Sequence, residues 1–553
     1  MPFLEYVLPA AALAVVAPLA HRRLQLSRAK HRSLAGHSRL AKRLARWLPG
    51  YAYDESMFFR CDGADEAIAQ RREAAFERLS AGFAERYARS LALTAQAREG
   101  LADLQFTGRY RVPFQFSPIV SARLKTGAFV QAADGVMVTD LDGNRFHDLT
   151  GSYGVNVFGT DFYRDCMAEG AARVKELGLV LGAYHPCVAD NVARLREISG
   201  LDEVSFHMSG TEAVMQAVRL ARYHTGRRYL VRFPGAYHGW WEDVQPGPGN
   251  PLPPRETYTL ADMSERSLQV LRSRRDIACV LVNPLQALHP NRVPPADSGL
   301  IDSSRQAQFD RAAYTDWLRR LRQVCTERGI VLIFDEVFLG FRLAPGGAQA
   351  YFGVQADMVT YGKTLAGGHP VGVVCGRHEL MQRFRPERPA DLCLARGTFN
   401  AHPLVMGGMA VFLERLQTPE LRALYEGQDE RWNARAQRFN DAMARNGLPM
   451  RAANLHSIWT VNYTEPSRYN WMLQYYLRWH GVALSWVGTG RLIFSLNYGD
   501  ADFDAVLEKF LSAGKAMQDD GWWAPLPGLS DRAIRRGVFR EVLAARLRWR
   551  WPA

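Results

Sequence analysis

Short apolar runs, separated by stretches with helical periodicity, fill the middle of the chain. VSFHM (204–208), YLVRF (229–233), IACVLV (277–282), IVLIF (330–334) and MVTY (358–361) have the length and β-branched content of buried strands. Between them apolar residues recur at helical spacing, as at Val214, Ala217, Val218 and Ala221. This alternation predicts an α/β fold, a mostly parallel central sheet covered by helices. In such sheets ligands sit beyond the carboxyl ends of the strands. Upstream, GVMVTDLDGNRFHDLTG (135–151) alternates and turns at Asp142 and Gly143, which predicts a hairpin. Residues 64–104, rich in Ala, Arg, Glu and Leu, predict one or two helices. GPGNPLPP (247–254) and PPADSGLIDSS (294–304) read as loops, and no internal repeat is visible.

Composition adds little until charge is mapped. With 47% hydrophobic and 23% charged residues the chain is of globular type, and its 553 residues can bury one or two sizeable cores. Seven scattered cysteines form no C-x-x-C pair, so no metal site is expected and a reducing compartment fits. The net charge of +13 lies wholly in residues 1–46 and 531–553, leaving 47–530 formally neutral. A nucleic-acid binder more often carries its charge on the folded body, so no nucleic-acid partner is expected. Basic ends suit an anionic membrane surface.

The N-terminus points the same way. FLEYVLPAAALAVVAPLA (3–20) is apolar apart from Glu5 and is followed at once by HRRLQLSRAKHR. The order of apolar and basic segments is wrong for a cleaved signal peptide. It leaves a short single span or a monotopic anchor, with the catalytic domain on the cytoplasmic face. AIRRGVFREVLAARLRWRWPA, at the C-terminus, reads either as a basic amphipathic helix lying on a bilayer or as a terminal helix packed on its own domain.

The chemistry-bearing residues fall at strand ends. Ser209, Gly210 and Thr211 open the helix after 204–208, where free N–H groups and the helix dipole suit a phosphate; a plain N-cap uses the same residues. Asp335 and Glu336 follow strand 330–334. A carboxylate there needs a cation or donors, as in a buried ion pair or helix cap. In VTYGKTLAGG (359–368), Lys363 follows a strand and precedes glycines. A lysine shielded from water has a lowered pKa and a neutral amine that attacks carbonyls. Together the three meet the needs of pyridoxal 5′-phosphate: a cradle for its phosphate, an acid for its ring nitrogen and an amine for its carbonyl. Tyr237, in GAYHG, is placed to stack on the ring.

These motifs resemble the class III, fold type I aminotransferases, with the glutamate-1-semialdehyde aminomutase branch as the best match. The resemblance covers roughly residues 113–517. It rests on MSGTEAVMQAVRLAR, FPGAYHGWW, LIFDEVFLGFR, GGAQAYFGV, DMVTYGKTLAGGHPVG and RGTFNAHP. It implies that Lys363 carries the cofactor, that Asp335 pairs with its ring nitrogen, and that Gly210 and Thr211 bind its phosphate. It implies that Val337 packs on the ring face opposite Tyr237 and that Gln286 meets the phenolic oxygen. Thr398 would reach the phosphate of a neighbouring subunit, making a homodimer with shared sites. Ser209 and His238 join the expected cofactor-binding set, and Tyr153, Arg123 and Arg491 the expected substrate set. Val120 stands where the aminomutase branch has a carboxylate-holding arginine, Gly490 or a neighbour where it has a glutamate, Asn283 where the family has an acid, and His402 where it has an asparagine.

The expected organisation is an apolar anchor (1–21), a basic linker (22–50), a helical extension (51–112), a small domain in two parts (113–185 and 396–517), a large cofactor-binding domain (186–395) and a basic tail (518–553). The expected activity is amino transfer from a donor amino acid to an aldehyde or ketone, an amphiphilic acceptor drawn from the membrane or one presented by an acyl carrier protein. An aminomutase and a membrane-tethered pseudoenzyme scaffold are the alternatives.

Overall fold

A computed structural model describes residues 2–245, 247, 249–289, 303–485 and 490–550, with side chains except at 2–15, 110 and 548–550. The chain forms two compact units. The first comprises residues 1–45, 169–294 and 310–414, and the second 46–168, 295–309 and 415–553.

The first unit is built on a seven-stranded sheet. Its strands are β1 (Glu203–His207), β2 (Tyr229–Arg232), β3 (Thr257–Thr259), β4 (Ile277–Val282), β5 (Val331–Asp335), β6 (Met358–Gly362) and β7 (Gly372–Gly376), in the spatial order β1-β7-β6-β5-β4-β2-β3. Neighbours from β6 to β3 run parallel, whereas β7 is antiparallel to both β6 and β1. The sheet is therefore mixed, and β3 and β7 join the five strands expected from the sequence. β4, β5 and β6 are buried throughout. That is why they read as continuous apolar runs rather than alternating ones. The amphipathic helix Gly210–Thr225 covers one face with Ala213, Val214, Ala217, Val218 and Ala221, which share a core with Leu230, Leu281 and Ile333. Gly226 ends the helix in the left-handed conformation.

The second unit has an aromatic core of edge-on rings, among them Phe58, Phe116, Trp432, Trp459 and Trp471. The expected hairpin is present: Met137–Asp140 pairs antiparallel with Arg145–Asp148 around Gly143 at φ 82°. The helices Glu66–Arg86 and Ala88–Gly100 occupy the stretch expected to be helical.

The expected membrane location is overturned. Among the described residues no helix is long and apolar enough to cross a membrane. The N-terminal segment is one helix, Pro2–Ala29, whose apolar run passes directly into His21, Arg22 and Arg23. It packs against the helix Glu265–Ser273. Its end is fastened to the rim of the sheet: Ala261 N donates to Ala29 O at 2.8 Å and His31 N to Thr259 O at 3.1 Å.

At the other end, the helix Asp531–Arg550 packs on the second unit, with Ile534 and Val542 buried. Its two acids are both structural. Asp531 accepts from Ser303 N and Oγ at 2.8 and 2.9 Å. Glu541 accepts from Tyr53 Oη and Arg468 Nη1, each at 2.7 Å, and Arg468 Nε reaches Asp62 at 2.6 Å. The bilayer-lying reading of this tail thus gives way to the packed one, and an acceptor drawn from a membrane loses its support. All seven cysteines are buried, and none is in a disulfide. The expected loop 294–304 lies outside the described residues as far as 302, as do 486–489.

Candidate active site

Strands β5 and β6 run side by side in register, with Asp335 opposite Thr360, so their carboxyl ends deliver Asp335 and Lys363 to neighbouring positions. Asp335 is buried and fully directed. His238 Nδ1 lies 2.7 Å from its Oδ2, while Val337 N and Thr360 Oγ1 donate to Oδ1 at 3.1 and 3.3 Å. With a carboxylate as acceptor, His238 presents Nδ1–H, and its buried Nε2 has no hydrogen-bond partner among the described residues. Burial lowers the pKa of His238. The bond to Asp335 and its charge oppose this, and the Arg232 guanidinium adds to the lowering.

Lys363 begins a short 3-10 turn directly after β6, with φ 48°, a left-handed backbone that a lysine seldom adopts. Its amine stands 5.6 Å from the Phe338 ring centroid. Desolvation lowers its pKa, the charge of Asp335 partly restores it, and the charge of Arg342 lowers it again. The amine and the carboxylate thus act on each other in a site where the neutral lysine is favoured.

The phosphate-type motif meets this pair through glycine contacts. A Cβ on Gly210 would stand 2.6 Å from Val337 Cγ1, so only glycine lets the helix start close on the strand end. A Cβ on Gly239, at φ 101°, would stand 2.6 Å from Thr211 Oγ1, which brings the Tyr237–Gly239 turn onto the same helix start. Ser209 is the N-cap, accepting from Glu212 N at 3.2 Å, and Glu212 answers by accepting from Met208 N at 2.9 Å. Ser209, Gly210, Thr211, Tyr237, His238, Asp335, Val337 and Lys363 therefore form one constellation. Tyr237 is 63% exposed, which leaves its ring face open for stacking. The residues fit pyridoxal 5′-phosphate: a cradle that a Cβ would fill, a directed carboxylate and a desolvated amine.

The other expected residues are placed differently. Gln286 is buried with both ends of its amide on backbone, Oε1 accepting from Asn283 N at 2.9 Å and Nε2 donating to Pro234 O at 3.0 Å. Asn283 caps the same 3-10 turn by accepting from Leu285 N, which gives this departure from the family acid a structural reason. Thr398 lies in an exposed segment. Arg123, Tyr153 and Arg491 belong to the second unit. Arg123 is committed to Glu55 and Glu77 and lies over the Phe76 ring. Tyr153 is exposed, at φ 57°. Arg491 has buried Nε and Nη2 atoms without partners among the described residues. Burial and the charge of Arg305 push its pKa down to about 10. Sequence reasoning missed Thr360, Phe338, Arg342 and Arg232. For Arg232 the signal was available: a cation at the end of an apolar strand asks the same question as Asp335 does.

Comparison with known proteins agrees with this geometry. The sequence profile of class-III aminotransferases matches residues 120–242 and 309–513, more than half of the chain. A glutamate-1-semialdehyde 2,1-aminomutase of Alkaliphilus oremlandii is 34% identical over 313 residues, 53% of this chain and 68% of that protein. One from Desulfotalea psychrophila is 33% identical over 373 residues, 64% and 80% of the two chains. Among solved structures, a transaminase with PLP bound is 27% identical, with a TM-score of 0.62 over 78% of this chain and 99% of the other. The chain belongs to the class-III aminotransferases, and its cofactor is pyridoxal 5′-phosphate.

Proposed function

We propose that the protein moves an amino group from a donor amino acid to an aldehyde or ketone, working as a homodimer. The observation that carries this reading is the meeting of a directed carboxylate and a desolvated amine beside a glycine-lined helix start. When bound, pyridoxal 5′-phosphate supplies an electron sink for a substrate carbon that loses its proton. Asp335, fixed by His238, Val337 N and Thr360, would hold the ring nitrogen and keep it protonated. Ser209, Gly210 and Thr211 bind the phosphate through the helix start. Tyr237 and Val337 hold the two ring faces, and Gln286 steadies the neighbouring turn. Lys363 would hold the cofactor through Nζ, and the same amine, once displaced by the amine of the substrate, would take up the substrate proton and return it. Thr398, exposed in one subunit, completes the phosphate site of the other.

The residues around Val120 support amino transfer over the aminomutase reading. Val120 is 3% exposed in the core of the second unit, and Arg123 is held by two glutamates. Neither offers the clamp that a glutamate-semialdehyde carboxylate requires. The identity of the curated relatives favours the second reading, an aminomutase that shifts an amine within one molecule. The test is to incubate purified holoprotein with single amino acids and follow conversion of the lysine-bound chromophore to the pyridoxamine form. Conversion by a donor, with turnover only when a separate carbonyl acceptor is added, is expected. Turnover of a lone amino-aldehyde without any donor would replace transfer by the mutase reading, and a protein that takes up no cofactor would remove both.

A further inference from the structure

Arg232 closes β2 and is 3% exposed. Among the described residues no carboxylate lies within ion-pair distance of it. Nη2 donates to Ala236 O at 3.1 Å and more weakly to Phe233 O at 3.4 Å, while Nε and Nη1 are buried with no partner among the described residues. A buried cation left this bare is costly, and a fold of ordinary stability keeps one only where something depends on it. The two carbonyls it grips belong to the Phe233–Ala236 turn, which delivers Tyr237 and His238.

We infer that Arg232 is a positioning residue for Asp335, acting through His238: its grip on the Phe233–Ala236 turn aims the imidazole at the carboxylate. The inference rests on the reading of Asp335 as the partner of the cofactor's ring nitrogen.

Two charges act on His238: Asp335 from the end of β5, and Arg232 from the end of β2; Lys363, after β6, acts on Asp335. A proton on His238 would set a second cation beside Arg232, with its own Nε2 unpartnered. Asp335 would then be satisfied by an imidazolium and have less to offer a protonated ring nitrogen. Burial is the first thing that disfavours that proton, and the Arg232 charge adds to it, which leaves the imidazole as a donor to the carboxylate. Arg232 itself remains a cation at neutral pH, since burial pushes it down only to about 10.

Histidine nitrogen NMR of the apoprotein, with His238 assigned through the H238N variant, tests this directly. In the wild type, His238 should be neutral and protonated on Nδ1 at neutral pH. R232M should raise its protonation by about one pH unit, and R232K should keep the wild-type behaviour. An imidazolium in the wild type at neutral pH, or R232M and R232K behaving alike, would overturn the inference; should R232M not fold, R232Q takes its place in the same comparison.

A second measurement is the affinity of each apoprotein for pyridoxal 5′-phosphate. In R232M it should weaken about tenfold between about pH 8 and about pH 6, and the R232M/H238N double variant should lose that step. A pH-independent R232M affinity would count against the inference. A wild type that binds no cofactor would sink the proposed function instead, leaving the NMR comparison intact.

Discussion

His238 Nδ1 and Asp335 Oδ2 stand 2.7 Å apart, and both side chains are buried. The carboxylate proposed to face the cofactor therefore has its direction set by a neighbouring imidazole. Replacing His238 with leucine removes a charge-assisted hydrogen bond worth about 1.5–3 kcal/mol, so affinity for pyridoxal 5′-phosphate should fall roughly ten- to hundredfold. Absorbance titration of the apoprotein checks this, and an unchanged dissociation constant would show that Asp335 is oriented without it.

Gly210 packs against Val337 where a side chain has no room. Gly210→Ala forces a methyl to 2.6 Å from Val337 Cγ1. The helix start or the strand end must then move, at an overpacking cost of about 1–3 kcal/mol. Cofactor binding should weaken, and adding Val337→Ala should recover part of it. A double variant no better than the single one would mean that the glycine serves another purpose.

Lys363→Met should lower amino transfer by about 10²–10⁴-fold, the range for losing a positioned proton carrier, and should abolish the absorbance of lysine-bound cofactor. The same change should raise the melting temperature of the apoprotein at neutral pH. Folding lowers the lysine pKa below its ordinary 10.5, so the unfolded chain holds more protons and the charged form opposes folding. That opposition is complete below the folded pKa and fades as pH rises toward 10.5. The gap between variant and wild type should therefore narrow in alkaline buffer; a constant gap would point to packing instead of charge.

Arg468 bridges Asp62 and Glu541, and the side chains of Arg468 and Asp62 are only 6% and 4% exposed. Arg468→Met leaves Asp62 buried without its cation, which should cost about 3–5 kcal/mol. Thermal melting should show an earlier transition of the second unit, and Asp62→Asn in the same chain should recover much of it. An unchanged melt would make the cluster energetically neutral.

Much of the first unit was legible because burial on both faces writes strands as unbroken apolar runs, as at Ile277–Val282. β3 and β7 were not. Thr257–Thr259 is a short edge, and GVVCG is framed by glycines, so neither offers a pattern long enough to read. Lys363, Asp335 and Gly210 were legible because a charged or flexible residue at a buried strand end needs a reason. The ends of the chain misled because hydropathy and charge do not say what a segment packs on. The helix Pro2–Ala29 finds its partner in Glu265–Ser273. In the arginine-rich tail the informative residues were its two acids, each taken by a partner distant in sequence. Gln286 looks like a ligand group in sequence, yet both ends of its amide meet backbone, which only coordinates reveal.

The left-handed backbone at Lys363 has a practical consequence for engineering. Such a conformation costs a non-glycine residue of order 1–3 kcal/mol, and a desolvated ammonium adds to the burden. Position 363 is thus a place where heat tolerance and turnover pull in opposite directions. A variant library ranked by melting temperature alone would enrich for glycine there and fill with inactive winners, so any thermostabilisation campaign must hold this codon fixed.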